Sequence, residues 1–155
     1  CNLLKSDVEK YALNAKDFRE NARQFIDGDV LNIGKLTKAV ATDALRNLIQ
    51  YTPFATGRAR ANWRVSYGTP ATEFDWNRKD WSGMETYAEG EAKINSALSV
   101  TESIYIANNT PYIGDLEDGH PSHGEFQEHN ANLGFMGART HTYLQTKYRG
   151  AAGLG

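Results

Sequence analysis

The sequence predicts an α+β domain, because helical and strand patterns both occur along the chain. Amphipathic helical patterns occupy the first third, and two short β-rich runs follow after residue 62. Between those runs, residues 68–83 show neither period and carry two tryptophans. A loop of that length in a compact domain is usually functional or becomes ordered by a partner.

Size and composition restrict the function classes. The 155 residues fit one domain, and a chain this long buries about 70% of its unfolded surface without a disulfide or metal. The net charge of -2 argues against a dedicated DNA-binding protein. The single cysteine, Cys1, excludes an intrachain disulfide. No run approaches the ~18 apolar residues of a membrane span, so we expect no membrane partner.

Two helices are predicted before residue 52. The first opens at a capping box, Ser6 to Glu9, and its apolar residues recur every three or four positions until Gly28. The second runs from Ile33 to Tyr51 and is stopped by Pro53. Its predicted apolar face is Ile33, Leu36, Val40, Ala44, Leu45, Leu48 and Ile49. We therefore divide the chain into a helical arm (1–32), an α+β domain (33–149) and a flexible glycine-rich tail (150–155).

The remaining elements are shorter. Trp63, Val65 and Tyr67 alternate with polar residues, which predicts a half-buried strand. Residues 84–98 favour a helix that Gly90 weakens, and 99–109 favour a second strand. A helical turn is predicted near Leu116 and a further helix within 132–148. We expect Trp63, Tyr105 and Tyr112 to stabilise the fold.

No residue pattern indicates catalysis or a cofactor. His120, His123, His129 and His141 lie near carboxylates, but His-x-x-His on a loop lacks the rigid helical spacing of a zinc site. The sequence contains no G-x-S-x-G nucleophile elbow and no Walker phosphate loop. We therefore expect no enzymatic activity, no metal and no cofactor.

Arg58, Arg60 and Arg64 follow a turn that we expect Gly57 to make with a positive φ. If the segment is extended, the three side chains lie on one side, because alternate residues of a strand share a face. Such a cluster would contact phosphate or pair with carboxylates of the same or a neighbouring chain. The net negative charge favours pairing with carboxylates.

Two longer motifs and one short element occur in a fixed order along the chain. The first motif is carried by Thr52, Pro53, Thr56, Gly57, Arg58, Asn62 and Trp63. The second is carried by Ile104, Tyr105, Ile106, Asn108, Asn109, Pro111, Tyr112, Leu116, Glu117, Gly119, His120 and Ser122. Gly134, Phe135 and Met136 match the third element. Together they resemble the tail-completion, or head-to-tail joining, proteins of long-tailed bacteriophages. The resemblance covers about residues 33–148; Asp118 and the run "HGEFQEHNAN" depart from the family pattern.

The resemblance implies a structural virion protein rather than an enzyme. It implies helices packed on a small antiparallel sheet, and a ring, usually of six copies, at the head-proximal end of the tail. DNA would pass through the ring without sequence recognition. The partners would be other copies of the chain, the adjacent head-completion protein and the tail-tube or tail-terminator protein. The protein would be assembled in the host cytoplasm and reside in the virion neck.

The charge distribution suggests how copies would meet. Residues 1–78 carry a net charge of +3 and residues 79–155 a net charge of -5, which suits heterologous contacts that close a ring. Trp76 and Trp81 would either add apolar contacts between copies, since tryptophan is enriched at interface hot spots, or cover the domain's own sheet. The predicted interface residues are Arg58, Arg60, Arg64, Trp76, Trp81, Asp115, Glu117 and Asp118.

Two other functions remain open on sequence alone. One is a DNA- or RNA-binding accessory protein that uses Arg58, Arg60 and Arg64, whose affinity would fall with salt. The other is a hydrolase with a dispersed site.

In the first motif, "TPFATGRARANW" is best interpreted as the hinge from helix to strand in a structural subunit.

Overall fold

The computed structural model describes residues 33–97, 102–119 and 133–149. The chain divides into two units, Cys1–Lys35 and Leu36–Gly155, and the second contains the sheet and nearly all of the described helical residues. The predicted helical arm, the capping box at Ser6, the tail after residue 149 and three of the four histidines lie outside the described residues. In the described ranges, no helix is both long and apolar enough to cross a membrane.

Five helices and two strands form the described domain. Helix α1 covers residues 33–51. It is followed by α2 (Arg58–Ala61), β1 (Trp63–Tyr67), α3 (Met84–Asn95), β2 (Ile104–Asn108), α4 (Ile113–Glu117) and α5 (Met136–Lys147). The α+β class is confirmed, with helices packed on a small antiparallel sheet and an irregular segment at 68–83.

The sheet is a two-stranded antiparallel ladder. Trp63 pairs with Asn108 at one end and Tyr67 pairs with Ile104 at the other. Side chains alternate between the two faces, so the face that carries Val65 also carries Ile104 and Ile106, which pack on the core. Tyr105 is half-buried on the opposite face and contributes to neither of the two apolar clusters of the domain.

The first apolar cluster lies between α1, β1 and α3. Its buried members are Ala41, Leu45, Ile49, Val65 and Ile94. Helix α3 contacts β1 directly, so the ladder is covered on its apolar face by two helices. Burial of these side chains is the main favourable contribution to the fold, at about 25 cal/mol per Å² of apolar area.

The second apolar cluster joins α2, α4 and α5 to the other side of α1. Its buried members are Ala59, Leu116 and Met136, and Leu48 and Tyr51 of α1 pack against it. Trp63 packs against both clusters and Tyr112 packs against the second.

Of the predicted apolar face, Leu45 and Ile49 are buried, whereas Ile33 is 49% exposed. Because α1 is covered on two sides, Ala41 and two polar residues, Asp43 and Asn47, are buried as well.

The buried carboxylate of Asp43 in α1 binds the C-terminal end of α5. Oδ2 of Asp43 accepts hydrogen bonds of 2.6 Å from Nζ of Lys147 and from the hydroxyl of Tyr148. Burial tends to raise the pKa of Asp43, but these two bonds and the charges of Lys147 and Arg46 outweigh it and lower that pKa. The carboxyl group of Asp43 therefore stays ionised at neutral pH.

Gly90 marks the closest approach of α3 to the core. A Cβ at this position would clash with Cδ2 of Leu45 and lie 3.1 Å from Cγ2 of Val65. Both neighbours are buried and have little room to move. The glycine that weakens the sequence pattern of α3 is the residue that lets this helix sit on the ladder.

We expect Gly90→Ala to destabilise the domain by about 1–2 kcal/mol. The gain of about 1 kcal/mol in helix propensity is smaller than the cost of overpacking, about 1–3 kcal/mol, plus the displaced Leu45. Gly114→Ala is the matched control, since a Cβ there meets no atom within 4 Å, and we expect it to be neutral or stabilising. Urea denaturation of both variants measures the difference. A stabilised Gly90→Ala protein would show that α3 does not pack as described.

Candidate functional site

The hinge between α1 and β1 is a compact turn. Gly57 has φ 74°, as the sequence predicts. A Cβ on Gly57 would lie 2.8 Å from the backbone of Asp80 and Trp81, so the hinge and the end of the 68–83 loop touch through their main chains. The backbone amide of Asp80 donates to the carbonyl of Gly57 at 3.1 Å.

The segment that carries Arg58 and Arg60 is not extended, so the condition for a shared face of the three arginines is not met. Arg58–Ala61 form one helical turn, α2, before β1 begins, so Arg58 and Arg60 are not alternate residues of a strand. The carbonyl of Gly57 accepts the amide of Ala61 at 3.0 Å and closes this turn. Consequently the arginines do not form a single basic face, and each has a different environment.

Arg60 is buried and acts inside the domain. Its Nε donates to the carbonyl of Thr52 at 2.9 Å, and its Nη1 donates to the carbonyl of Trp81 at 2.8 Å. Its Nη2 reaches the carbonyl of Gln50 at 3.3 Å. The last carbonyls of a helix have no partner within that helix, so Arg60 caps the end of α1 and ties it to the loop.

Two further groups stabilise the Arg60 guanidinium. It stacks on Phe54, with 4.2 Å between Cζ and the ring centroid, a cation–π contact. Burial lowers the pKa of Arg60, and the negative charge of Asp80 opposes that shift. The sequence predicts Arg60 at a subunit interface. In the structure Arg60 is only 9% exposed and connects segments of one chain.

Asp80 holds the start of α3. Its carboxylate accepts the backbone amides of Gly83 and Thr86, both at 2.9 Å, and the hydroxyls of Ser82 and Thr86. Burial tends to raise the pKa of Asp80, but these hydrogen bonds outweigh it and the pKa is lowered. This role of Asp80 is not predicted from the sequence, although a run that contains Ser and Asp before a predicted helix is a recognised start signal.

Arg58 is bound to the aromatic part of the loop. Its Nε donates to the carbonyl of Trp76 at 2.7 Å, and its Cζ lies 4.2 Å from the Trp76 ring centroid. Trp76 also packs edge-on against Phe74. Trp76 is nevertheless 52% exposed, so Arg58 holds an aromatic ring at the surface.

Trp81 is the second exposed ring of the loop. It is 58% exposed and meets Phe54 edge-to-face, with centroids 6.3 Å apart. Met84, the first residue of α3, is 73% exposed nearby in sequence. The loop therefore carries two large exposed aromatic side chains within six residues, followed by an exposed methionine.

Three asparagines position the loop and the hinge by holding main-chain atoms. Asn62, fully buried, donates to the carbonyl of Asp75 and accepts the Asp75 amide, both at 2.9 Å. Asn109 donates to the carbonyls of Ala71 and Glu73 at 2.8 and 3.3 Å. Asn108 donates to the carbonyl of Ala59 at 2.7 Å. Residues of both motifs therefore fix the loop and the turn beside it.

Thr52 and Trp63 are joined by a hydrogen bond inside the hinge. The Thr52 hydroxyl donates to the carbonyl of Leu48 at 2.5 Å and accepts the Trp63 indole N–H at 2.8 Å. Thr52 is fully buried, and Pro53 beside it is buried as well. These motif residues have structural roles within the described domain.

The acidic residues of the second motif also differ from one another. The Glu117 carboxylate accepts the backbone amides of Gly137 and Ala138 at 2.9–3.3 Å, and so caps the start of α5. Asp115 and Asp118 are exposed and make no ion pair in the described part. Glu117 thus serves the fold, whereas Asp115 and Asp118 remain available.

The turn after α4 brings the last motif residues together. Pro111 is exposed and Tyr112 half-buried before α4, and Gly119 lies against the ring of Phe135. The carbonyl of Tyr51 accepts the amide of Gly134 at 2.8 Å. The second motif and the third element therefore meet at the end of α1.

The described residues contain no group of three or more His, Cys, Asp or Glu that could hold a metal ion. His141 lies exposed on α5, while His120, His123 and His129 lie outside the described residues. Comparison of the chain with known protein families, curated proteins and solved structures found no match.

We expect Arg60→Gln to lower the free energy of unfolding by about 3 kcal/mol. A hydrogen bond to a charged group contributes about 1.5–3 kcal/mol, and the variant leaves carbonyls at the end of α1 without their donors. Arg64→Gln is the matched control, with an expected change below about 1 kcal/mol, because Nε of Arg64 makes no hydrogen bond to described residues. Chemical denaturation measures both. Equal losses would contradict a special role for Arg60.

We expect the stabilising effect of Asp80 to depend on pH in one direction. Its pKa is lowered in the folded state, so its contribution is present above the unfolded-state pKa of about 3.9 and is lost as pH falls through the folded-state pKa. The difference in unfolding free energy between the parent and Asp80→Asn should therefore be constant from about pH 5 to 7 and shrink below about pH 4. A difference that grows on acidification would contradict the described contacts.

Proposed function

We propose that the chain is a structural subunit of a phage neck ring, which completes the head-proximal end of the tail and joins it to the head. The partners are other copies of the chain, six to a ring, with the head-completion protein on one side and the tail-tube or tail-terminator protein on the other. Genomic DNA passes through the ring without sequence recognition. The location is the virion, after assembly in the host cytoplasm.

The proposal rests on one observation: the motif residues bind groups within the domain and hold the loop in place. Thr52, Asn62 and Asn109 all bind inside the domain, and two of them hold the backbone of the 68–83 loop. The loop in turn exposes Trp76 and Trp81. A fold that uses its polar side chains to hold an aromatic loop at the surface suits a protein that assembles.

The chemistry of the described residues supports an assembly role over the alternatives. Two of the three arginines proposed for nucleic-acid contact are bound to backbone carbonyls, Arg58 to Trp76 and Arg60 to three others. The buried carboxylates Asp43 and Asp80 are each satisfied by several donors. Their donors are structural, so neither carboxylate is poised as a general base.

Electron microscopy and mass measurement of the purified chain test the proposal. Rings with a central channel should appear, and their mass should be an integral multiple of the 17.3 kDa chain, near six. A chain that stays monomeric at high protein concentration would contradict the proposal. Tight, salt-sensitive binding to duplex DNA by the monomer would favour the accessory nucleic-acid role.

We expect Trp76→Ala and Trp81→Ala to reduce ring formation while leaving the monomer folded. A tryptophan at an interface hot spot contributes at least about 2 kcal/mol, roughly a thirty-fold weaker association for each contact. Tyr143→Ala is the matched control, because Tyr143 is an exposed aromatic on α5. Sedimentation gives the ring fraction and circular dichroism the fold. Unfolding of both tryptophan variants would show that the loop belongs to the core.

A further inference from the structure

A polar cavity of about 850 Å³ lies along β1 and is separate from the aromatic residues of the loop. Its walls are residues 64–67 of β1, residues 69–73 of the loop and Lys93 in the last turn of α3. The loop is held over this cavity by Asn109, which binds the carbonyls of Ala71 and Glu73. The cavity is thus a fixed feature of the domain.

The cavity walls contain polar atoms without partners. Nε of Arg64 and the hydroxyl of Tyr67 are buried and make no hydrogen bond in the part of the chain that the structure describes. Arg64 is half-buried, and neither its guanidinium nor the Lys93 ammonium forms an ion pair with those residues. Buried polar groups are normally satisfied, so the unpartnered Nε of Arg64 indicates a guanidinium that an anion can complete. Lys93 adds an exposed cation to the wall of the same cavity, whereas Tyr67 lies on the opposite face of β1 from Arg64.

The anion is more suitably a carboxylate than a nucleic-acid backbone. Glu73 also lines the cavity and Asp75 is exposed in the same loop. A row of phosphates would meet these negative charges, whereas one or two carboxylates can pair with Arg64 and Lys93 and avoid them. Arginine binds carboxylates through paired N–H donors.

The chain itself carries carboxylates that suit this cavity. Asp115 and Asp118 are exposed around α4 and make no ion pair to described residues. Asp115 lies in α4 and Asp118 directly follows that helix, so two like charges stand three positions apart along the chain. A cation from another molecule would relieve the repulsion between them.

We propose that the cavity lined by Arg64 and Lys93 binds the Asp115–Asp118 turn of a second copy of the chain. The two surfaces differ, so the contact is heterologous and repeats from copy to copy, as a ring requires. This inference rests on the proposed function and names the contact that joins adjacent subunits. It assigns the charge pairing to Arg64 and not to Arg60, which is buried.

Cross-linking in trans tests the contact. One protein carries Lys93→Cys and the other Asp118→Cys, each in a Cys1→Ser background, and the two are mixed with a short bismaleimide. A covalent heterodimer should form in the mixture and be at least tenfold less abundant with either protein alone. Lys79→Cys mixed with Glu102→Cys is the control pair, since both positions are exposed and lie outside the cavity.

Charge exchange gives an independent readout. Arg64→Glu and Asp118→Arg should each reduce the assembled fraction at low salt at least tenfold, and the double variant should restore most of it. Lys93→Glu replaces Arg64→Glu if circular dichroism shows the latter to be unfolded. Lys79→Glu is the control and should assemble like the parent.

The outcomes separate this inference from the proposed function. If rings form normally but the cross-linked heterodimer does not, the proposed contact is wrong and the ring proposal is unaffected. The same holds if the charge-exchange variants assemble like the parent. A parent chain that never self-associates overturns both. Loss of binding to a labelled DNA duplex in Arg64→Glu, with assembly unchanged, assigns the cavity to phosphate and also overturns the contact.

Discussion

The guanidinium of Arg60 is the interaction on which the described domain depends. It connects the carbonyl of Thr52, just after α1, to the carbonyl of Trp81, just before α3. Both helices cover the same ladder, and this one cation joins their facing ends, next to the apolar cluster that they share. Asp80 adds a carboxylate that begins α3 and opposes the effect of burial on Arg60. The cost of burying a cation is offset by carbonyl bonds, an aromatic face and a nearby negative charge.

The same interaction explains why the loop can be long and yet defined. Arg58 and Arg60 hold its second half at Trp76 and Trp81, and asparagines hold its first half at Ala71 and Asp75. Few of its residues are buried, so hydrogen bonds rather than apolar packing determine its course. This arrangement leaves large aromatic side chains in solvent, where they are available for contacts between molecules.

Much of the fold follows from periodicity, whereas the site does not. The strand at Trp63 and the turn near Leu116 follow from local patterns and are confirmed within the described residues. The helix predicted at 84–98 is confirmed from residue 84 but ends at Asn95. The one-turn helix at Arg58 is not predicted because four residues carry no helical period, and the condition under which the three arginines would share a face, an extended segment, is not met. The burial of Arg60 depends on carbonyls from positions 50, 52 and 81. Such long-range partners cannot be inferred from neighbouring residues.

The asparagine anchors have a consequence for how this surface can change. Asn62 and Asn109 contact main-chain atoms of the loop through their hydrogen bonds and none of its side chains. Every amino acid except proline supplies the same amide and carbonyl groups, so the anchoring does not restrict which side chains the loop carries between residues 71 and 75. Substitutions there can alter the partners that the surface recognises while the framework beneath stays the same. The loop can therefore change its surface side chains while its backbone stays in the same position.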